Sequence, residues 1–398
     1  MLLEEIKTHL TGKLIPFWEN LKDEKFGGFY GGLDFDLQLE KEAVKGCILN
    51  SRILWFFSNA YLVLGEKRLL EYAQHAYAFL KNACLDTKNG GIYWSISYGG
   101  TPEDTTKHTY NQAFAIYALS SYYDASKEKE ALAIAFGLRD IIENRCRDEY
   151  GYLEAFDAAF HPVENDKLSE NGVTAEKTMN TLLHVLEAYT ELYRVTKDTQ
   201  TGEALRFMLD LIADKVYNKE LARQEVFFDR TWNTLIDLHS FGHDIETSWL
   251  VDRTCEILED GVYTEKLNPI IRALAANVYE KAYRDHSLEN EAENGVVNTT
   301  RVWWVQAEAM VGFLNAYENQ PEESRYLEAV TDIWDYIKAY MIDKREGSEW
   351  FWSVDKDRQP LHKPIVEPWK CPYHNGRMCL ELIKRSQKES LKSVLGSL

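Results

Sequence analysis

Along most of the chain, apolar residues return every three or four positions. Leu3, Ile6, Leu10 and Leu14 make one such stripe, which predicts a first amphipathic helix closing before Pro16. The same period predicts helices over 48–64, 69–80, 110–123, 131–142, 178–193, 203–216, 245–258, 269–283, 302–317, 326–340 and 378–383. No run of paired strands is expected, so the fold class is all-α.

A short Gly/aromatic motif separates alternate helices. It reads Gly27-Gly28-Phe29-Tyr30, Gly90-Gly91-Ile92-Tyr93-Trp94 and Tyr150-Gly151-Tyr152. It returns in weaker form at Val226-Phe227-Phe228-Asp229 and Asn294-Gly295-Val296-Val297, and ends at Gly347-Ser348-Glu349-Trp350-Phe351-Trp352. Six occurrences spaced about 50–75 residues apart imply six repeats of a helix pair. Six hairpins closing on themselves give an (α/α)6 barrel whose inner helices line a pocket. The alternative is an open helical solenoid, but open arrays favour shorter, more uniform repeats. No Pro/Ser-rich linker divides the chain, so one domain over 1–398 is expected.

Composition narrows the partners. The 398 residues are 45% hydrophobic, enough for a large core, and the formal charge of -19 argues against nucleic acid and anionic membrane. The run 53–64 is broken by Ser58 and Asn59 and is too short to span a bilayer. The N-terminus lacks the basic and apolar regions of a signal peptide. Six cysteines without a CxxC pair read as reduced thiols of a cytoplasmic protein. Aromatic residues reach 13%, and aromatic faces are what proteins use to grip sugar rings, although a large helical core also uses many.

Several polar residues interrupt otherwise apolar faces. Arg52 lies in Ser51-Arg52-Ile53-Leu54-Trp55-Phe56-Phe57, so its guanidinium must snorkel to the surface or face a solvent-filled cavity, and the cavity is favoured. Tyr110 and Phe114 share a face. Asn180 and His184 are i, i+4, as are Trp304 and Glu308. Two further histidines stand where helices open. His374 follows Pro368-Trp369-Lys370-Cys371-Pro372-Tyr373, and His243 lies in Ser240-Phe241-Gly242-His243-Asp244-Ile245-Glu246. Both are expected in loops, with Glu246 one turn beyond His243 and able to orient it. The positive end of a helix disfavours imidazolium and keeps such a ring neutral, as a base must be. Together they suggest an acid/base pair acting on an uncharged ring. His239 and His243 form HxxxH, but no Glu completes a zinc motif and Gly242 is expected to interrupt the helix, so no metal is expected. There is no GxGxxG, P-loop or GxSxG, and no cofactor is expected.

The segments Trp369-Lys370-Cys371-Pro372-Tyr373-His374-Asn375-Gly376-Arg377, Ser240-Phe241-Gly242-His243-Asp244-Ile245-Glu246 and Arg301-Val302-Trp303-Trp304 resemble the cellobiose 2-epimerases of the N-acylglucosamine 2-epimerase superfamily. The resemblance runs from Gly27 to Arg377 and implies an (α/α)6 barrel. It implies catalytic roles for His243, His374 and His184. It implies substrate contacts for Arg52, Tyr110, Asn180, Glu246, Trp304, Glu308 and Trp369, with Trp303 the alternative to Trp304 as stacker. The implied reaction epimerises the reducing-end glucose of β-1,4-linked disaccharides at C2, cellobiose to glucosylmannose and lactose to epilactose. The partner is then a disaccharide, without nucleic acid, membrane or metal, and the protein is expected to be a monomer. The implied route is ring opening, removal of the C2 proton to a cis-enediolate stabilised by donors such as His184 and Arg52, rotation about C2–C3, and reprotonation. Alternatives are an aldose–ketose isomerase of the superfamily acting on mannose, an inverting glycoside hydrolase using Glu246 and Glu308, and a non-catalytic sugar-binding protein.

Overall fold

The structure is a computed structural model that describes residues 2–168, 171–388, 391, 392, 394 and 395. Helical runs alternate between an outer and an inner ring. The outer ring begins with α1, which is Leu2–His9 continued through a π turn, Leu10–Leu14, into Ile15–Glu19. It goes on with α3 (Lys67–Phe79), α5 (Lys129–Ile141), α7 (Thr199–Leu211), α9 (Gly261–Ala282) and α11 (Ser324–Tyr336). The inner ring is α2 (Cys47–Leu64), α4 (Thr109–Ser126), α6 (Met179–Thr196), α8 (Phe241–Leu258), α10 (Trp303–Asn319) and α12 (His374–Arg385). Each inner helix packs on the next and α12 returns to α2, so the ring is closed and the fold is an (α/α)6 barrel.

Burial follows the rings. Outer helices bury one stripe, as in α11 at Tyr326, Ala329, Val330, Ile333 and Trp334. Inner helices are covered on both sides. In α2 almost every residue from Cys47 to Ala60 is buried, polar Asn50, Ser51 and Arg52 included. By length and composition α2 is apolar enough to cross a membrane, but 78% of it lies inside the barrel.

The repeats carry a buried lysine that single-sequence patterning does not flag. Just before α2, Lys45 Nζ lies 2.6 Å from Asp23 and donates to the Gly27 carbonyl. Lys107 repeats this before α4 with Asp86 (3.0 Å) and the Gly90 carbonyl. Lys177 repeats it before α6 with Asp148 (2.9 Å), and Lys370 before α12 with Glu349 (2.6 Å). The Gly-Gly turns serve these pairs. Gly28 has φ +65° and Gly91 +80°, and a Cβ at either would run into an aromatic ring, of Phe79 or Phe160. Short antiparallel pairs then stitch each repeat to the next. Lys107–His108 pairs with Ala155–Phe156, Lys177–Thr178 with Phe227–Phe228, and Arg301–Val302 with Ser353–Val354.

Four expectations need correction. Strand pairs do occur, though among the described residues only as such short stitches and two small three-stranded patches (Lys45–Gly46, Ser95–Ile96 and Pro102–Asp104; Leu238–Ser240, Glu291–Glu293 and Val296–Asn298). Pro16 does not end α1. The π turn already shifts the ladder there, with Ile15 N–H donating to Leu10, so the missing proline N–H falls where the regular ladder is broken. Pro269 does not begin α9, because Asp260 caps that helix at Val262 and the buried stripe of Leu267, Ile271 and Leu274 runs past the proline. Gly242 does not interrupt α8. It lies in the first turn, where any Cβ would collide with the Trp304 indole.

A buried ion pair that loses one partner leaves an uncompensated charge. Lys107→Ala should therefore destabilise the protein by about 3–5 kcal/mol. Lys107→Met combined with Asp86→Leu should recover most of that. Thermal unfolding followed by circular dichroism decides it: a single variant as stable as wild type would show that Asp86 is satisfied by the Asn89 amide and its backbone donors alone.

Candidate active site

The N-terminal turns of all six inner helices open on one cavity of about 350 Å³. Arg52 reaches it from α2, Tyr110 from α4, Asn180 and His184 from α6, and Ser240, His243 and Glu246 from the start of α8. Trp303 and Trp304 reach it from α10, and Trp369 and His374 from α12 and the segment before it. Helix N-termini carry partial positive charge, so six of them aimed at one space disfavour added cations.

Each cavity histidine is held by its Nδ1. His374 Nδ1 is 2.7 Å from Glu308 Oε1, His184 Nδ1 is 2.8 Å from Glu187 Oε2, and His243 Nδ1 is 2.7 Å from Ser240 Oγ. The Trp304 ring lies between two of them, 4.7 Å from His243 and 5.4 Å from His374. Burial pushes the His243 pKa down to about 3, with His184 and His374 adding to the shift. Burial, then the nearby Arg377 and Arg52 charges, holds His374 well below its ordinary value. Burial lowers His184 as well, against the opposing pull of Glu187. All three rings therefore rest neutral. His374 and His243 sit inside the first helical turns of α12 and α8 and not in loops, as the sequence had led us to expect.

Behind the histidines lies Arg377, one turn beyond His374 and 1% exposed. Its guanidinium bonds Glu187, Glu246 and Glu308, the last at 2.7 Å, and also the Tyr373 hydroxyl. Three carboxylates around one guanidinium leave an excess of negative charge that burial penalises. Glu187, despite burial, is held down to about 2 by Arg377 and His184. Glu246 goes the other way: burial and then Glu308 push it well above the carboxylate range. Burial also raises Glu308, but both its oxygens already accept hydrogen bonds, from Arg377 and His374 at Oε1 and from Trp249 at Oε2 (3.0 Å). Glu246 Oε2 is buried without a partner among the described residues, so the proton belongs on Glu246.

The other predicted residues divide between cavity and support. Arg52 is buried and does not snorkel. It donates to the Tyr110 hydroxyl (2.8 Å) and the Trp369 carbonyl (3.3 Å) and lies over the Phe114 ring. Trp369 lies against Trp94 and Tyr110. Asn180 shares the cavity face with His184, its Oδ1 unpartnered among the described residues. Glu308 is not beside Trp304 on the cavity wall but behind His374. Glu246 bonds Arg377, and Ser240 is what holds His243. His239 pairs with Asp244 at 2.8 Å, away from His243, so the HxxxH spacing does not converge. Glu246, Glu308 and His374 do bring three ligand atoms within 4.8 Å of one another, but Arg377 already bonds both carboxylates and supplies the cation such a group would draw.

Arg377, Glu187, Tyr373 and Ser240 were missed as site residues. A signal existed for two of them. Glu187 follows His184 by three residues and Arg377 follows His374 by three, the spacing that puts a partner one turn deeper in the barrel.

Comparison with known proteins shows the family to which the chain belongs. The sequence profile of the N-acylglucosamine 2-epimerase (GlcNAc 2-epimerase) family matches residues 28–376. The chain is 51% identical over 386 residues to a cellobiose 2-epimerase of Ruminococcus albus, covering 97% of this chain and 99% of that one. The solved cellobiose 2-epimerase of Bacillus thermoamylovorans superposes with a TM-score of 0.94 at 47% identity, covering 96% of this chain and 99% of that one. A D-mannose isomerase of Marinomonas mediterranea is more distant, 21% identical over 95% of this chain and 96% of that one.

Neutral buried histidines make stability depend on pH. A His243 pKa lowered to about 3 from 6.5 means the folded state binds fewer protons than the unfolded state between those values. Stability is thus fully present above about 6.5 and falls as pH drops below it. Between pH 6.5 and 5, denaturant titrations should show unfolding free energy falling in wild type, with a slope flatter by up to about one proton in His243→Asn. Equal slopes would show that His243 titrates normally.

Proposed function

The chain belongs to the N-acylglucosamine 2-epimerase family and is a sugar epimerase, and from that premise we propose that it epimerises the reducing-end glucose of β-1,4-linked disaccharides at C2. Cellobiose would give glucosylmannose, and lactose would give epilactose. The observation that carries this reading is the set of three neutral histidines, each anchored at Nδ1, opening on one aromatic cavity in a chain about half identical to cellobiose 2-epimerases.

The chemistry accounts for the residues. The C2 proton of an aldose becomes acidic only when the ring opens to the aldehyde. Carboxylate-anchored His374 keeps its proton on Nδ1 and offers a bare Nε2, the arrangement of a general base. Taking the C2 proton makes it an imidazolium backed by Glu308, in a carboxylate cluster that carries excess negative charge. The enediolate charge then collects on O1 within reach of Arg52. After rotation about C2–C3 the His374 and His243 pair returns a proton to the other face. His184 is also anchored by a carboxylate, so its neutral Nε2 accepts a sugar hydroxyl and does not donate to the oxyanion. Trp304 and Trp369 hold the sugar rings. An inverting hydrolase needs carboxyls about 6.5–9.5 Å apart with room for water. Glu246 and Glu308 converge within 4.8 Å on Arg377, which disfavours that alternative.

His374→Asn and His243→Asn should each lower kcat/KM by about 10²- to 10⁴-fold with an unchanged helical signal. Incubation with cellobiose in heavy water, followed by NMR at C2 of the intact disaccharide, tests the reaction itself. Release of monosaccharide, or product without C2 deuterium, would refute it.

Trp369 sets the second ring. It is five residues before His374, and stacking on a desolvated ring is worth about 1 kcal/mol or more. Trp369→Ala should lower kcat/KM for cellobiose or lactose at least about tenfold while affecting glucose or mannose much less. Equal losses on both would assign Trp369 to the reacting sugar or to the shape of its own loop.

A further inference from the structure

Two of the three cavity histidines are anchored by carboxylates and one is not. That difference fixes the side of the ring on which each proton sits. A neutral imidazole has one N–H and one bare nitrogen, and the partner of one nitrogen decides the state of the other. An ionised carboxylate can only accept, so Glu308 and Glu187 place the protons of His374 and His184 on Nδ1 and leave Nε2 bare. Ser240 is different. Its hydroxyl can donate or accept, and it meets His243 Nδ1 at 2.7 Å. Among the described residues Ser240 Oγ has no other side-chain or backbone partner, and it is 7% exposed. If the hydroxyl accepted from Nδ1–H, its own proton would have no acceptor among the described residues and could turn only to the cavity that Ser240 lines. Donation to Nδ1 pairs that proton within the protein and puts the ring proton on Nε2, which has no partner among the described residues and is left to meet a substrate oxygen in the cavity.

We propose that Ser240 holds His243 in the Nε2–H tautomer, opposite to the tautomer that Glu308 holds in His374. The resting site then presents the sugar with one donor nitrogen and one acceptor nitrogen, without a positive charge on either ring. His243 hydrogen-bonds a substrate oxygen as a neutral electrophile while His374 is the bare base at carbon. Ser240 is a positioning residue that acts through His243. The groups that face His243 fit this arrangement. They are the Trp304 ring and, through space, His184, His374 and Glu308, and none of them offers Nδ1 another partner. The catalytic consequence rests on the epimerase reading, but the tautomer itself does not.

Protein labelled with ¹⁵N-histidine and free of sugar provides the test. Long-range ¹H–¹⁵N spectra read which ring nitrogen carries the proton, and His243→Gln and His374→Gln identify the signals by difference. The expected result is His243 protonated on Nε2 and His374 on Nδ1. Ser240→Ala should shift the His243 signals and lower kcat for cellobiose at least about tenfold with KM changed less than about threefold, and Ser240→Thr should restore both. His243 protonated on Nδ1 in wild type, or the same tautomer in both rings, overturns the proposal whatever the variants do. Failure of Ser240→Thr to restore the spectrum also overturns it. Opposite tautomers in a protein that leaves cellobiose unchanged would sink the substrate reading and leave this inference standing.

Discussion

Everything at the cavity depends on one buried guanidinium. Arg377 comes from α12 and bonds Glu187 on α6, Glu246 on α8 and Glu308 on α10, so a single side chain ties four of the six inner helices. A buried cation is tolerable only when it is paired and hydrogen-bonded. Here pairing is more than complete, and the surplus carboxylate charge is used twice. Glu308 and Glu187 turn their remaining capacity to His374 and His184, and Glu246, lacking a second donor, keeps a proton. The packing of the helices and the protonation states of the histidines are therefore one constraint. Removing Arg377 would strand the Glu187 and Glu308 carboxylates and the Glu246 carboxyl beside them.

The repeats explain why this constraint lands where a substrate can reach it. In four of them a buried lysine, paired to an acid in the preceding Gly-rich turn, stands just before an inner helix and fixes where that helix begins. Because those starting points repeat around the ring, six N-terminal turns face one space. The first two turns of the inner helices supply the cavity's chemistry, and for two of its histidines the residue three positions on, one level deeper, belongs to the cluster behind them. His184 with Glu187 and His374 with Arg377 are two versions of this two-storey arrangement.

Fold and site were legible in the sequence to different depths. The 3.6-residue period located every inner and outer helix, and the Gly/aromatic turns counted the repeats, because both signals are local. The errors are local signals overruled by context. Pro16 follows a π turn, Pro269 lies within a stripe already buried, and Gly242 marks a close approach to Trp304 and not a helix end. The residues that line the cavity were found because polar groups on apolar faces stand out. Their partners were found in part: Glu246 and Glu308 stood among the expected substrate contacts, but their shared bond to Arg377, far off in sequence, has no local signal. Ser240 stands in the sequence only as a neighbour of His243. A hydroxyl gives no sign of its partner in composition or period.

The cavity's preference for neutral rings points to the kind of chemistry it can support. Six helix N-termini and two arginines oppose a resting imidazolium, while the carboxylate cluster welcomes one formed transiently on His374. Such a site is poised to take a proton from an uncharged substrate and hold it briefly, which is what enolisation next to a carbonyl demands. It is poorly suited to deliver a proton to a leaving group at the outset, the first step of glycoside hydrolysis, because the raised carboxyl, Glu246, is tied at one oxygen to Arg377. Aromatic walls complete the logic. Trp304 and Trp369 line the cavity without adding charge, so on the proposed reading they would grip sugar faces and leave the electrostatic balance set by Arg377 available for the proton that moves.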